Sequence, residues 1–193
     1  MKKIIFGAVM ALALSGCGKQ EPDIKDVNEF LTDLSQVYLG DFKGPNPDDY
    51  IKVDFAVKRL LIDKPESFEK QGGDFAVSAD KVHAVSDAYF SYPIAEDQSS
   101  NDVDFIDGKY VIMPMGDQQL SFSKATKVAQ KGDTILYDVD VYNCAATWQG
   151  DRNADPQQWT PDASGSKPEK YKQMRAVLIS KGDGLRVISY MVR

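Results

Sequence analysis

Asp138, Asp140 and Tyr142 alternate along one stretch of the chain, and Arg175 follows further on. In an extended strand such spacing sends the three side chains to one face. Two carboxylates beside a phenol are the parts of a general-base site. A carboxylate desolvated in a pocket has a raised pKa and accepts a proton, while the tyrosine stabilises the enolate that forms. A half-exposed strand gives the same alternation, with Tyr137, Val139 and Val141 packed inward and the aspartates in water. His83 is the only histidine. It therefore permits no multi-histidine metal site, and no Ser-His-Asp or Cys-His arrangement is signalled. Lying next to Val82 in a helical pattern, it is read as a partly exposed structural histidine with a catalytic role as the alternative.

The segment from Thr147 to Tyr171 holds a second pattern. Asp151, Asn153, Asp155 and Asp162 fall at the spacing of positions 1, 3, 5 and 12 of a calcium-binding loop, where oxygen ligands converge on one hard cation. The pattern breaks at Pro156, where the sharp turn needs glycine, because proline fixes φ near −65°. It also breaks at Asp162, which is shorter than the usual bidentate glutamate. A polar loop rich in turn formers accounts for the same residues. Trp148 and Trp159 lie in this loop among Gly150, Pro156, Pro161 and Gly165. Either indole serves as an anchor for a binding partner or as a lid on the core, and sequence alone does not separate the two. Cys144, beside Val141, Tyr142 and Ala145, reads as a small buried side chain, since no basic neighbour would activate it. No cofactor is implied.

These residues need elements to position them. Val27, Phe30, Leu31, Leu34, Val37 and Tyr38 recur at helical spacing, with Asp26 and Glu29 as a capping box and Gly40 as the stop. A second helix takes Asn46 as cap and Pro47 in its first turn, carries Tyr50, Val53, Val57, Leu60 and Leu61 on one stripe, and ends before Pro65. A third runs from Ser78 through Val82, Val85 and Tyr89 towards Pro93. Residues 64–74 read as loop. Beyond residue 100 the period changes to two. Val103–Ile106 and Lys109–Met113 flank Asp107-Gly108, a type I′ hairpin signal. Leu120–Val128 and Thr134–Cys144 flank a turn at Lys131–Asp133, and Met174–Ser180 and Leu185–Val192 form a last hairpin around Gly182–Gly184.

Helices first and paired strands after is the order of an α+β domain, with the N-terminal helices packed on one side of a curved antiparallel sheet. In element order residues 26–193 resemble the nuclear-transport-factor-like and cystatin-like rolls, in which a bent sheet wraps a helix and leaves a pocket. The resemblance implies that Asp138, Asp140, Tyr142 and Arg175 line that pocket. The chain departs from it between Ile62 and Ser78, where those rolls place a strand hairpin and no pair is legible here.

At the N-terminus Lys2 and Lys3 precede an apolar run from Ile4 to Leu14, the make-up of a secretory signal. The run is short of the ~20 residues needed to span a bilayer. Leu14-Ser15-Gly16-Cys17 then resembles the bacterial lipobox at every position. The resemblance implies a signal peptide over 1–16, cleavage before Cys17, and acyl chains on that cysteine, which with residues 17–25 forms a short tether ahead of a domain over 26–193. Two or more chains give stable anchoring where one binds marginally. Aspartate just after the cysteine tends to retain such lipoproteins in the inner membrane. Gly18 at that position implies an outer-membrane address, facing the periplasm.

The net charge of −6 becomes −8 once the two signal lysines are removed. Such acidity suits neither phosphate backbones nor anionic lipid surfaces, so nucleic acid is not an expected partner and the lipid supplies the membrane affinity. The expectation is a non-catalytic envelope domain that binds a protein partner or small ligand. A pocket enzyme of isomerase or hydrolase type, and an envelope inhibitor or immunity protein, are the alternatives.

Overall fold

A computed structural model of the chain describes residues 21–115, 120–182 and 184–193. Cys17, Gly18 and the signal segment lie outside them.

The first helix, α1, spans Ile24–Gln36. Its cap is Asp23, whose carboxylate accepts the Lys25 N–H at 2.9 Å, so the start lies ahead of the expected Asp26–Glu29 box. Asp26 sits instead in the first turn, where it favours the positive end of the helix dipole. The stop is Tyr38 rather than Gly40. Tyr38 adopts φ 54° while its N–H donates to Ser35 O and the Leu39 N–H donates to Leu34 O, which is a Schellman termination carried by a non-glycine residue. β1 (Phe42–Lys43) follows, then α2 (Asp49–Asp63), capped from Asp48 rather than Asn46.

Between α2 and α3 (Ala79–Tyr89) the chain makes a hairpin of β2 (Glu69–Gln71) and β3 (Asp74–Ser78). This corrects the loop expected over 64–74. The turn is Gly72-Gly73, with Gly72 at φ +66°, and β2 is fully exposed, so it shows no apolar alternation to read. β4 (Val103–Ile106) and β5 (Lys109–Ile112) form the expected hairpin. Asp107 and Gly108 both have positive φ, 50° and 76°, as a type I′ turn requires.

The long strands are β6 (Leu120–Lys131), β7 (Thr134–Cys144), β8 (Glu169–Lys181) and β9 (Gly184–Val192). Two antiparallel sheets result, one in the order β1-β9-β8-β7-β6 and one in the order β2-β3-β5-β4. The α+β class is as expected, but the single curved sheet is not: the shorter strands form their own sheet. One face of β7, with Ile135, Tyr137, Val139 and Val141, aligns with Met174, Ala176 and Leu178 of β8 and packs on Val27, Leu31 and Leu34 of α1 and Val53, Val57 and Leu60 of α2. Val77, Val103, Tyr110 and Ile112 of the second sheet join this core. A separate aromatic cluster of Phe122, Tyr142, Trp148 and Trp159, with Cys144, is built elsewhere, on side chains of β6 and β7 from the face that does not meet the helices.

α1 is aligned by more than its apolar stripe. β6 is the terminal strand of its sheet, so alternate N–H groups point away from β7 and need acceptors. Thr32 Oγ1 takes the Ser123 N–H at 3.0 Å and Asn28 Oδ1 takes the Ala125 N–H at 2.7 Å.

Candidate binding groove

The residues singled out from sequence do not converge on one centre. Asp138 and Asp140 lie on the face of β7 away from the helices. Asp138 accepts Arg175 Nε and Nη2 at 3.1 and 3.0 Å and Arg193 Nη1 at 2.7 Å. Asp140 pairs with Lys170 at 2.7 Å and accepts Gln173 Nε2 at 2.8 Å. Burial pushes the Asp140 carboxyl up, but those hydrogen bonds prevail and hold it below the usual carboxylate range. A general base needs the opposite shift. Tyr142, on the same face, is buried in the aromatic cluster. His83 Nε2 lies 2.7 Å from Asp97 Oδ1, which also accepts the Tyr110 hydroxyl at 2.6 Å. These contacts tie α3, β5 and the segment before β4 together.

The four oxygen-bearing loop residues turn the chain locally. Asp151 accepts the Asn153 N–H at 2.8 Å and Asp155 the Gln157 N–H at 2.9 Å. Asp162 accepts from Thr147, from Ser164 twice, and from the Ser166 N–H. Those bonds hold its carboxyl down at about 2. Among the described residues no three His, Cys, Asp or Glu side chains are grouped to hold a metal ion.

Trp148 and Trp159 are buried, at 5% and 6% exposure, which is the core-covering role weighed for them rather than that of exposed anchors. Trp148 stacks on Phe122 with ring centres 5.9 Å apart, and Trp159 meets Phe122 and Tyr142 edge-on at 5.4 and 4.9 Å. Their polar edges grip the loop: Trp148 Nε1 donates to Thr160 O at 3.0 Å and Trp159 Nε1 to Asp151 O at 2.9 Å. Gly150 packs against the Trp148 ring so closely that a Cβ there would overlap it. Burial pushes the nearby Cys144 thiol up, in keeping with an inert side chain.

What the tryptophans hold in place is one wall of a groove. The segment Gly150–Asn153 faces the polar side of α1 across a cleft of about 630 Å³, within the range of small-ligand sites. Lys124 secures this wall from below. Its ammonium donates to the carbonyls of Arg152, Asn153 and Ala154 at 3.3, 3.0 and 2.6 Å and stands 5.7 Å from the Trp159 ring centre. The opposite wall is Asn28, Glu29, Thr32, Asp33 and Gln36, successive turns of one helix stripe. Ser123 and Arg59 complete the lining, and apart from Gly150 every lining residue carries a polar side chain.

One end of the groove is a charged cluster. Arg59, 7% exposed, binds Asp33 Oδ1 at 3.1 Å, Gln36 Oε1 at 2.7 Å and the carboxylate of Asp63. The Tyr89 hydroxyl donates to Asp33 Oδ2 at 2.6 Å. Burial pushes the Asp33 carboxyl above its ordinary value despite that bond and the Arg59 charge, and burial with the same carboxylate pushes the Tyr89 phenol up. Sequence reasoning passed over this site. The α1 stripe has the composition of any solvated helix face, and the remaining lining comes from residues 59, 123 and 150–153, far apart in the chain.

Residues 1–17 match the family model of the prokaryotic membrane lipoprotein lipid attachment site, which supports a lipid-anchored bacterial lipoprotein. No helix among the described residues is long and apolar enough to cross a membrane. No curated protein and no solved structure matches the chain, so the likeness to a roll gains no support from known folds.

Proposed function

We propose that the protein is a tethered binding module: acyl chains on Cys17 hold it in the outer membrane, facing the periplasm, and its domain over 26–193 captures a ligand in the groove between α1 and Gly150–Asn153. The observation that carries this reading is the groove's construction. Both walls are fixed by buried side chains, whereas Glu29 and Arg152 on the two walls enter no ion pair among the described residues. Rigid walls with unspent polar groups suit recognition, because little ordering remains to be done on binding. A non-catalytic role is favoured by the aspartates of β7, which are occupied by arginine and lysine, and by His83, which is engaged with Asp97.

The test is a photo-crosslinking residue placed at Arg152 in the full-length lipoprotein in cells, with a second at exposed Val128 on the far part of β6 as control. An adduct formed at 152 and not at 128 supports the reading, and equal or no labelling at the two positions defeats it. The address is tested separately. Cys17→Ser removes the protein from membranes, and Gly18→Asp moves it from the outer to the inner membrane fraction of a double-membrane host.

A further inference from the structure

We infer that the groove binds a neutral oligosaccharide of two or three sugar units, a conclusion that rests on the groove being the binding site proposed above. Its lining has no apolar side chain, so an acyl chain or an aromatic ligand would find nothing to replace the water it lost. Charge does not favour an anionic ligand. Arg59 is shared by Asp33 and Asp63, which leaves that cluster net negative, and the remaining charges of the lining, Glu29 and Asp151 against Arg152, are of mixed sign. A polyanion would be repelled, and a polycation would have to lie against exposed Arg152.

What remains is hydrogen bonding of defined polarity. Asn28 Oδ1 accepts the Ala125 N–H and Gln36 Oε1 accepts from Arg59 Nη1. A peptide N–H and a guanidinium only donate, so both carboxamides must present oxygen to the fold and keep their NH₂ groups for the groove. Asn28 and Gln36 stand eight residues apart on α1, about 12 Å along its axis at a rise of ~1.5 Å per residue. Arg152 adds a planar donor on the facing wall, and Glu29 and Asp151 supply acceptors. Two donors about 12 Å apart on one wall, with acceptors and a planar donor beside them, match a row of hydroxyl and acetamido groups, which both donate and accept. A site furnished this way discriminates strongly, because a ligand lacking those groups leaves its polar atoms unpaired.

The experiment titrates the lipidated protein, held in phospholipid nanodiscs without glycoside detergent, with chitotriose, maltotriose and, for comparison, tetra-alanine. Tryptophan fluorescence reports directly, since the chain has two tryptophans and both lie under the Gly150–Asn153 wall. A saturable change with a trisaccharide is expected. Asn28→Asp and Gln36→Glu keep the acceptor oxygens that the fold uses and remove the donors, so each is expected to weaken binding about tenfold with the melting temperature little changed. Arg152→Ala, at an exposed side chain, is the third variant should either of these unfold. Binding that survives all three overturns the inference, as does silence from both trisaccharides. Saturation by tetra-alanine alone also overturns it. A position-152 adduct in cells alongside such a result would leave the binding-module reading standing.

Discussion

Replacing Lys124 with methionine keeps the aliphatic stem and removes the ammonium that secures the groove wall. The bond to Ala154 O, at 2.6 Å and partly buried, counts as a full charge-assisted hydrogen bond of ~1.5–3 kcal/mol. The bonds to Arg152 and Asn153 carbonyls are longer and exposed, so water replaces them at a loss of about 0.5 kcal/mol each. The contact with the Trp159 ring adds ~0.5 kcal/mol. Burial opposes these gains by disfavouring the charged amine, which is why the Lys124 pKa lies below its ordinary value despite Asp155 and Asp151 nearby. The balance is about 2 kcal/mol, felt locally. Amide hydrogen exchange is the assay, because it reads opening of one segment while the rest stays folded. The Ala154 N–H, bonded to Asp151 O at 3.2 Å, is expected to exchange about 30-fold faster in the variant, given a factor of ten per ~1.4 kcal/mol. Unchanged exchange at Ala154 and Asn153 would refute the idea that one lysine holds this wall.

Lys52→Met is expected to cost ~3–5 kcal/mol in urea unfolding. The fully buried Lys52 ammonium meets Asn46 Oδ1, Pro93 O and Asp49 Oδ1 at 2.9, 2.8 and 2.6 Å, and a loss under about 1 kcal/mol would contradict the role given to it. Gly150→Ala forces its new Cβ against the packed Trp148 ring; a loss of ~1–3 kcal/mol and a shifted emission spectrum are expected. Tyr38→Gly relieves a left-handed backbone at a half-exposed side chain and should raise stability by about 1 kcal/mol, read as a higher urea midpoint. The folded Asp162 carboxyl is depressed to about 2. Its contribution is therefore fully present above the unfolded value of ~3.9 and is lost as pH falls through about 2. NMR titration of the carboxyl carbon checks this, and a midpoint near the ordinary value would mean that the Thr147, Ser164 and Ser166 bonds are not formed in solution.

The helices and the long strands were legible because each buries one face. The stripe of α1 and the alternation of β7 named Val27, Leu31, Leu34, Tyr137, Val139 and Val141 as core, and they are. Asp107-Gly108 named its own turn through the positive φ both residues adopt. What escaped was structure without burial or without turn chemistry. β2 is short and exposed on every residue, and the end of α1 rests on a tyrosine where the code points to glycine. The tryptophans were visible as important, but burial is a tertiary fact and their side was not readable. Asn28, Thr32, Asp33 and Gln36 carried no signal at all, since a groove wall and a solvated face use the same residues.

β6 explains why the site lies where it does. It is the terminal strand of its sheet, and an unpaired edge is a liability unless something occupies its hydrogen-bonding groups. Along its outer half the strand carries Lys127 and Lys131 and a register shift between Lys127 and Ala129, common means of discouraging a further strand. Along its inner half the edge is used instead. Ser123 and Ala125 give their N–H groups to Thr32 and Asn28, which places α1. Lys124 between them projects to the other face and takes three carbonyls of the Arg152–Ala154 segment, which places the second wall. Three consecutive residues thus set both sides of the cleft through the period-two geometry of a strand. A one-residue slip of β6 would present Lys124 to α1 and Ser123 to the loop, undoing both walls together. The aromatic cluster guards against that slip, because Phe122 stacks on Tyr142 directly opposite it and meets both tryptophans.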